Sequence, residues 1–561
     1  MRAHSHARRA GGGAHQACAG QLPASKEVML LHRLDSQGSG TSEERGRPNS
    51  AASCCYCATT LAAAELATRI RQFIFVMLLP MKSIQLLALV FLLWLPCSSP
   101  AADAAKPNII VILVDDLGYE CLGANGGKSY QTPVLDGLAA KGVRFTHCYA
   151  QPNCTPTRAQ LMSGQSNVRN YVKFGYLDPA VTTFGNLFQR AGYATCVVGK
   201  WQLGHDSPDL PKHFGFDEHC LHHYLHTGGK DRYANPGMTY NGKVRQFKDG
   251  EYGPDLTNDY ALDFITRHKS EPWLLYYPMI LTHAPFEPTP DSPDYLGKAK
   301  DRGRQQHFAD MVAYTDKLTG KLLAKLDELR LRENTLILIT GDNGTGKGIV
   351  SATEEKDEVE GGKASTAVAD MRVPLIANWP ARIATRSVAG GPAKITAGRT
   401  CDDLVDMTDF LPTICAAASV PIPGDLKIDG HSFLPQLRGE AGHPRDWIYS
   451  FWAPLRPTQT AKVGKRGAVE QAFDHDFKLY SIGEFYDLHA DPAEKHALKI
   501  ADLIGDAAAG AKKLQAAIDQ FAGARPAGLR LISPGVEAAK AKENGEAPET
   551  GKARKQKKTA R

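Results

Sequence analysis

The chain has 561 residues, 43% of them hydrophobic and 22% charged, with a formal net charge of +6. That length exceeds one small domain, and the apolar share is that of a globular protein with a sizeable core, which excludes fibrous and wholly disordered classes. The positive excess makes no case for nucleic acid as a partner, because much of it sits in the final run Lys552-Ala-Arg-Lys-Gln-Lys-Lys-Thr-Ala-Arg561.

Residues 1–80 mix His, Arg, Gly and Ala without helical or strand periodicity, and are read as a non-native or disordered extension ahead of a true start at Met81. Met81-Lys82-Ser83 leads into an apolar run over 84–96 and an Ala102-Asp103-Ala104 pattern, the composition of a secretory signal peptide over 81–105. The apolar run is shorter than the ~20 residues a membrane-spanning helix needs. The protein is therefore expected to be exported, periplasmic or secreted, without stable membrane insertion. Seven cysteines follow this leader: Cys121, Cys148, Cys154, Cys196, Cys220, Cys401 and Cys415. An odd number leaves at least one thiol unpaired or modified. The upstream cluster Cys54-Cys55-Tyr56-Cys57 lacks a second ligand pair at zinc-site spacing and carries no argument.

Residues 107–114 are a continuous apolar, β-branched run, the pattern of a strand buried on both faces of a parallel sheet, and the run stops at Asp115-Asp116. A helix is predicted over 134–141. Cys154-Thr155-Pro156-Thr157-Arg158 follows, with the cysteine just ahead of a helix start and Pro156 near the first helical position. Helix N-termini expose N–H groups and partial positive charge, so a small tetrahedral anion can sit over residue 154, with the Arg158 fork one turn on to hold it. A helix over 183–191 and a short strand over 193–198 come next. His219, His222, His223 and His226 read singly as a polar surface loop, with the lining of a substrate cleft as the alternative. A helix over 308–329 precedes a second apolar strand over 335–340, which ends at Gly341-Asp342-Asn343-Gly344.

Alternation of this kind predicts an α/β fold with a large mixed, mostly parallel sheet flanked by helices, and ligands gather at the carboxyl ends of such strands. Either acidic strand end alone reads as a turn or a helix cap. Together Asp115, Asp116, Asp342 and Asn343 supply three carboxylates and an amide oxygen, a donor set for a hard divalent cation, calcium more than magnesium. The stretch 341–348 nearly spells a phosphate-binding loop, but Gly348 stands where a hydroxyl must meet magnesium, and mostly acidic residues follow. The sequons at Asn153 and Asn343 fall inside the candidate site and are discounted. The Asp402-Asp403 pair lacks a suitable preceding strand and is read as surface.

These residues resemble the type I sulfatases of the alkaline phosphatase superfamily over roughly 107–495. The resemblance rests on Cys-x-Pro-x-Arg at 154–158 with Ser163-Gly164, on the Asp115-Asp116 and Asp342-Asn343 pairs, and on Gly199-Lys200-Trp201-x-Leu203-Gly204. It also rests on Thr282-His283-Ala-Pro-Phe286, on Gly361-Gly-Lys363 with Arg372-Val-Pro374, and on the closing elements Phe485-Tyr-Asp-Leu488 and Asp491-Pro-Ala-Glu494. It implies a catalytic α/β domain over 106–430 and a smaller C-terminal α+β domain with an antiparallel sheet over 431–530, while composition marks 531–561 as a disordered basic tail. It further implies that a formylglycine-generating or radical maturase converts Cys154 to formylglycine. The hydrate of that residue would then attack the sulfur of an aryl sulfate or, better suited to an exported enzyme, a sulfated carbohydrate.

Asp115, Asp116, Asp342, Asn343 and the modified Cys154 would bind calcium in this scheme. Arg158, Lys200 and Lys363 would supply positive charge, Asp342 would help activate the nucleophile, and His283 with Lys363 would stabilise the leaving oxygen. Two alternatives stand beside this reading: a phosphomonoester or phosphonate hydrolase of the same superfamily, and an inactive sulfated-glycan binding protein. One departure stands out. The family often has histidine two residues after the first lysine, and this chain has Gln202, which hydrogen-bonds but carries no proton at neutral pH. Either His205 or another histidine takes that role, or the last step is slower, or the site prefers another substrate geometry.

Overall fold

A computed structural model describes residues 106–205, 207–224, 232–383, 398–459 and 461–533. In chain order its strands are β1 (Asn108–Val114), β2 (Val143–Tyr149), β3 (Ala194–Gly199), β4 (Glu218–His222), β5 (Gly237–Tyr240), β6 (Lys243–Gln246), β7 (Trp273–Met279) and β8 (Thr335–Gly341). A short ribbon, β9 (Val350–Ser351) and β10 (Val359–Glu360), precedes β11 (Arg372–Asn378) and β12 (Arg399–Asp406). All but the ribbon join one ten-stranded mixed sheet in the order β12-β2-β11-β8-β1-β7-β3-β4-β5-β6. The core of that sheet, β8-β1-β7-β3-β4, is parallel throughout.

Every residue of β1 is buried. Ile109, Val111 and Leu113 enter one apolar layer, while Ile110, Ile112 and Val114 enter the layer on the opposite face. The first layer is covered by the helices Cys154–Ser163, Phe184–Arg190 and Phe410–Ala418. The second is covered by Pro133–Ala140, Gly253–Arg267 and Arg304–Glu328. Two covered faces explain why the strand reads as an unbroken apolar run, since neither side of the pleat meets water.

A separate antiparallel sheet holds β13 (Ile448–Trp452), β14 (Val469–Phe473), β15 (Phe477–Tyr480) and β16 (Phe485–Asp487) in sequence order. The helix Gly505–Asp519 closes its core through Leu514 and Ile518, and Phe521 stacks on Tyr449 with ring centroids 4.0 Å apart. This sheet reaches the first one through buried polar contacts. Ser450 Oγ donates to Gln151 Oε1 at 2.8 Å, and Glu494 accepts from Val368 N at 2.7 Å while pairing with Lys478 at 2.7 Å.

The helices expected at 134–141, 183–191 and 308–329 form at Pro133–Ala140, Phe184–Arg190 and Arg304–Glu328. Three expectations need correction. Helix Cys154–Ser163 begins at the cysteine itself, so Pro156 is its third residue rather than its first. The Asp402-Asp403 pair does belong to a strand, β12, although it stays at the surface as read, Asp402 exposed and Asp403 half-buried, with a register shift between Cys401 and Leu404 and contacts to Thr146 and Gln436. His219 and His222 are no surface loop; both are buried on β4, and His219 Nε2 accepts from Gly242 N at 2.8 Å. All seven cysteines after the leader are free thiols. The N-terminal extension, the leader, His226 and residues 534–561 lie outside the described residues; residues 531–533, expected to open the disordered tail, are instead packed on the fold, with Ile532 N donating to Val172 O at 2.7 Å and Ser533 buried. Among the described residues no helix is long and apolar enough to cross a membrane.

Candidate active site

Parallel register places the acidic strand ends side by side. Val114 pairs with Gly341, so Asp115-Asp116 and Asp342-Asn343 leave the same edge of the sheet together. Their first contacts are mutual: Asp116 N donates to Asp342 Oδ1 at 3.1 Å, and Asn343 Nδ2 donates to Asp116 Oδ1 at 2.7 Å. Asp115, Asp342 and Asn343 are fully buried and Asp116 is 1% exposed. Three carboxylates withdrawn from water cost several kcal/mol each unless cations answer them.

Three cations do. Lys200 follows the last residue of β3, and its Nζ lies 2.5 Å from Asp115 Oδ2. Gly199 before it has φ 112°, and a Cβ there would fall 2.1 Å from Pro278 O, so only glycine lets the chain turn this lysine inward. Arg158, fully buried on the helix Cys154–Ser163, donates to Asp342 Oδ2 through Nη2 at 2.6 Å and Nε at 3.2 Å, and to Lys200 O at 2.9 Å. Lys363 comes from the segment after β10; its Nζ lies 2.5 Å from Asp116 Oδ1, and its N–H donates to Thr345 O at 3.0 Å. Burial opposes the charge on Asp115, but the cations Lys200, Arg158 and Lys363 outweigh it and hold that carboxyl well below the usual range. Burial and the neighbouring Asp115 charge push Asp342 the other way, up to about 7.

Cys154 stands at the centre. Its Sγ and one oxygen each of Asp115 and Asp342 lie within 4.8 Å of one another, and oxygens of Asp115 and Asp116 form a second such group with a ring nitrogen of His283. Asn153 ahead of it is extended, so the cysteine heads the helix where free N–H groups and the positive dipole end converge. Burial pushes the Cys154 thiol above its ordinary value despite Lys200 nearby, so the encoded thiol is a poor nucleophile here. Burial also pulls the His283 imidazole down. Arg232 Nη1 reaches His283 Nδ1 at 2.5 Å and Ala284 O at 2.6 Å. His283 Nδ1 also lies 2.5 Å from Ala284 O, so that nitrogen faces a donor and an acceptor together.

The donor set fits a hard cation. Asp115 Oδ1 and Asn343 Oδ1 are buried acceptor oxygens without a hydrogen-bond partner. Such orphans are costly unless something electropositive meets them. The nine residues singled out from sequence (Asp115, Asp116, Cys154, Arg158, Lys200, His283, Asp342, Asn343 and Lys363) thus converge on one site. Arg232 was not among them, because nothing in its sequence surroundings marks it. Gln202 has φ 56° and a buried Oε1 with no partner, and His205 is exposed.

The family model described as Sulfatase matches residues 107–420, and one described as N-sulphoglucosamine sulphohydrolase, C-terminal, matches residues 368–517. N-acetylgalactosamine-6-sulfatase of Canis lupus familiaris is 34% identical over 375 residues, covering 60% of this chain and 67% of that protein. Arylsulfatase A of Homo sapiens is 28% identical over 480 residues, covering 76% of this chain and 89% of that one. Among solved structures, Ps i-CgsB aligns with a TM-score of 0.62 at 23% identity, over 78% of this chain and 98% of that one, a likeness of fold.

Proposed function

The chain belongs to the sulfatase family, whose members hydrolyse sulfate esters, and from that membership we propose that it is an exported sulfatase cleaving sulfate monoesters of carbohydrates, with Cys154 matured to formylglycine and calcium held in the acidic pocket. One observation carries the reading. Three carboxylates with their three countercharges, plus two orphaned acceptor oxygens, surround a buried cysteine at a helix N-terminus.

Formylglycine, installed at position 154 by a formylglycine-generating or radical maturase, supplies a hydrated aldehyde, an oxygen nucleophile in place of a thiol. Calcium, held by Asp115, Asp116, Asp342 and Asn343 beside residue 154, supplies Lewis-acid polarisation of the oxygens around it. The remaining work belongs to the chain's own side chains. A sulfate monoester is a charged, poor electrophile, so its transition state calls for positioning and positive charge. Lys200, Lys363 and the helix N-terminus supply that charge from fixed positions, while Arg158 holds Asp342 in register beside residue 154. His283 lines the cleft over residue 154 beside Lys363, where it is arranged to donate to the leaving oxygen with that lysine. Gln202 can orient a hydroxyl but cannot take its proton.

The likeness to a sulfatase that acts on N-acetylgalactosamine-6-sulfate groups, by its name, favours a sulfated sugar over a simple aryl sulfate. The test uses protein purified after co-expression with a maturase. Expected are a mass about 18 Da lower for the peptide containing Cys154 and release of sulfate from sulfated saccharides. Phosphate release with no sulfate release would favour a phosphohydrolase; unmodified thiol with no turnover would leave only a binding protein.

A further inference from the structure

We propose that the cleft over Cys154 recognises a second anionic group on the substrate, beside the reacting sulfate, through Lys347 and Arg456. The inference rests on the sulfatase reading and names the kind of ester that the site takes. The cleft measures about 320 Å³ and opens directly above Cys154, His283 and Lys363. That volume lies at the lower end for small-molecule sites, enough for a sugar ring with its substituents.

Its walls carry charge of one sign. Besides Lys363, which is committed to Asp116, the lining holds Lys347 and Arg456 and no carboxylate. The pocket beside Tyr119 shows the contrast, with Glu120, Glu354 and Glu355 set against Arg144, Lys356 and Arg372. Among the described residues neither Lys347 nor Arg456 makes an ion pair. An ordinary surface lysine or arginine is also unpaired and solvated. These two differ in facing one concavity from separate parts of the fold, each on an anchored backbone. Lys347 lies on the loop after β8, where its carbonyl accepts from Arg304 Nη2 at 3.3 Å. Arg456 follows β13 of the small sheet; its N–H donates to Gln459 Oε1 at 3.1 Å, and Gln459 Nε2 donates to Ala364 O at 3.2 Å, next to Lys363. Phe174, 37% exposed, adds an apolar face to the same cleft.

The reacting sulfate is already met by the inner cations, so two more at the mouth are surplus for a simple monosulfate. They suit a ligand with another fixed negative charge, a second sulfate or a carboxylate. Both side chains are exposed, so such contacts are modest in strength and screened by salt.

The experiment compares kcat/KM of the matured enzyme on three esters: a monosulfated hexosamine, the same sugar with a second sulfate, and a monosulfated disaccharide carrying a uronate. The expected result is a preference of about tenfold for at least one dianionic ester, shrinking as salt is raised. Which of the two is preferred tells sulfate from carboxylate. In Lys347→Ala and Arg456→Ala the preference ratio should fall toward unity; being a ratio, it does not depend on the fraction of enzyme that is folded. Turnover without preference in the wild type, or a preference that both variants keep, overturns this inference alone. No turnover of any of the three esters overturns it together with the sulfatase reading.

Discussion

Cys154 is the residue at which the proposed formylglycine would replace the encoded thiol as the working group. Its thiol is buried, pushed up by that burial, and set at a helix start among six charged side chains. Cys154→Ala should reduce sulfate-ester turnover by at least about 10³-fold, because it removes the nucleophile itself, while leaving the melting temperature close to that of the wild type. Full activity in that variant would refute the assignment. Asp115 Oδ1 and Asn343 Oδ1 lead to a second expectation, read by calorimetry rather than by activity. Calcium at 100 times its Kd should stabilise the chelator-treated protein by about 2.7 kcal/mol. Asp342→Asn should lose most of that gain, because it removes a charged ligand. The motif residues were legible in the sequence because their chemistry depends on short-range spacing. Arg232 was not, since its partner His283 lies 51 positions away and no pattern links them.

Among the elements, the parallel strands act as the aligning device. Each of β1, β3 and β8 delivers a charged residue immediately after its last member, and register brings those ends to one edge. Gly199 is the tightest of these junctions. Gly199→Ala combines an unfavourable positive φ with a clash against Pro278 O, so strand β3 must shift and carry Lys200 with it. We expect a loss of about 1–3 kcal/mol in denaturant unfolding and a disproportionate fall in kcat. A variant with wild-type kinetics would mean that Lys200 is not held by this turn. The helix at Cys154 shows where local pattern fell short. Pro156 suggested a start two residues later, but Asn153 takes the extended conformation that lets the cysteine open the helix. In the same way four histidines close together in sequence looked like a polar loop, until pairing of β4 with β3 and β5 buried two of them.

In the molecule as a whole, the small antiparallel sheet is tied into the catalytic layer by buried charge. Lys478 is fully buried, pairs with Glu494 at 2.7 Å, and Glu494 in turn accepts from Val368 N close to the Lys363 segment. Burial pulls the Lys478 ammonium down to about 8 even with Glu494 beside it, a sign of how dry this junction is. Lys478→Ala strands the Glu494 charge and should cost about 3–5 kcal/mol. Chemical denaturation would show it, and a loss under 1 kcal/mol would mean that the junction tolerates an unpaired charge. The sequence by itself determined the class of sheet, the acid-tipped strands and the cysteine motif, because each is written in consecutive residues whose local physics is enough to read them. Tertiary structure alone decided that Arg232 faces His283, and that Lys347 and Arg456 share a cleft with Cys154. Those meetings join segments up to about three hundred positions apart, set by strand register and by the docking of one sheet on another, and no local pattern of side chains encodes them.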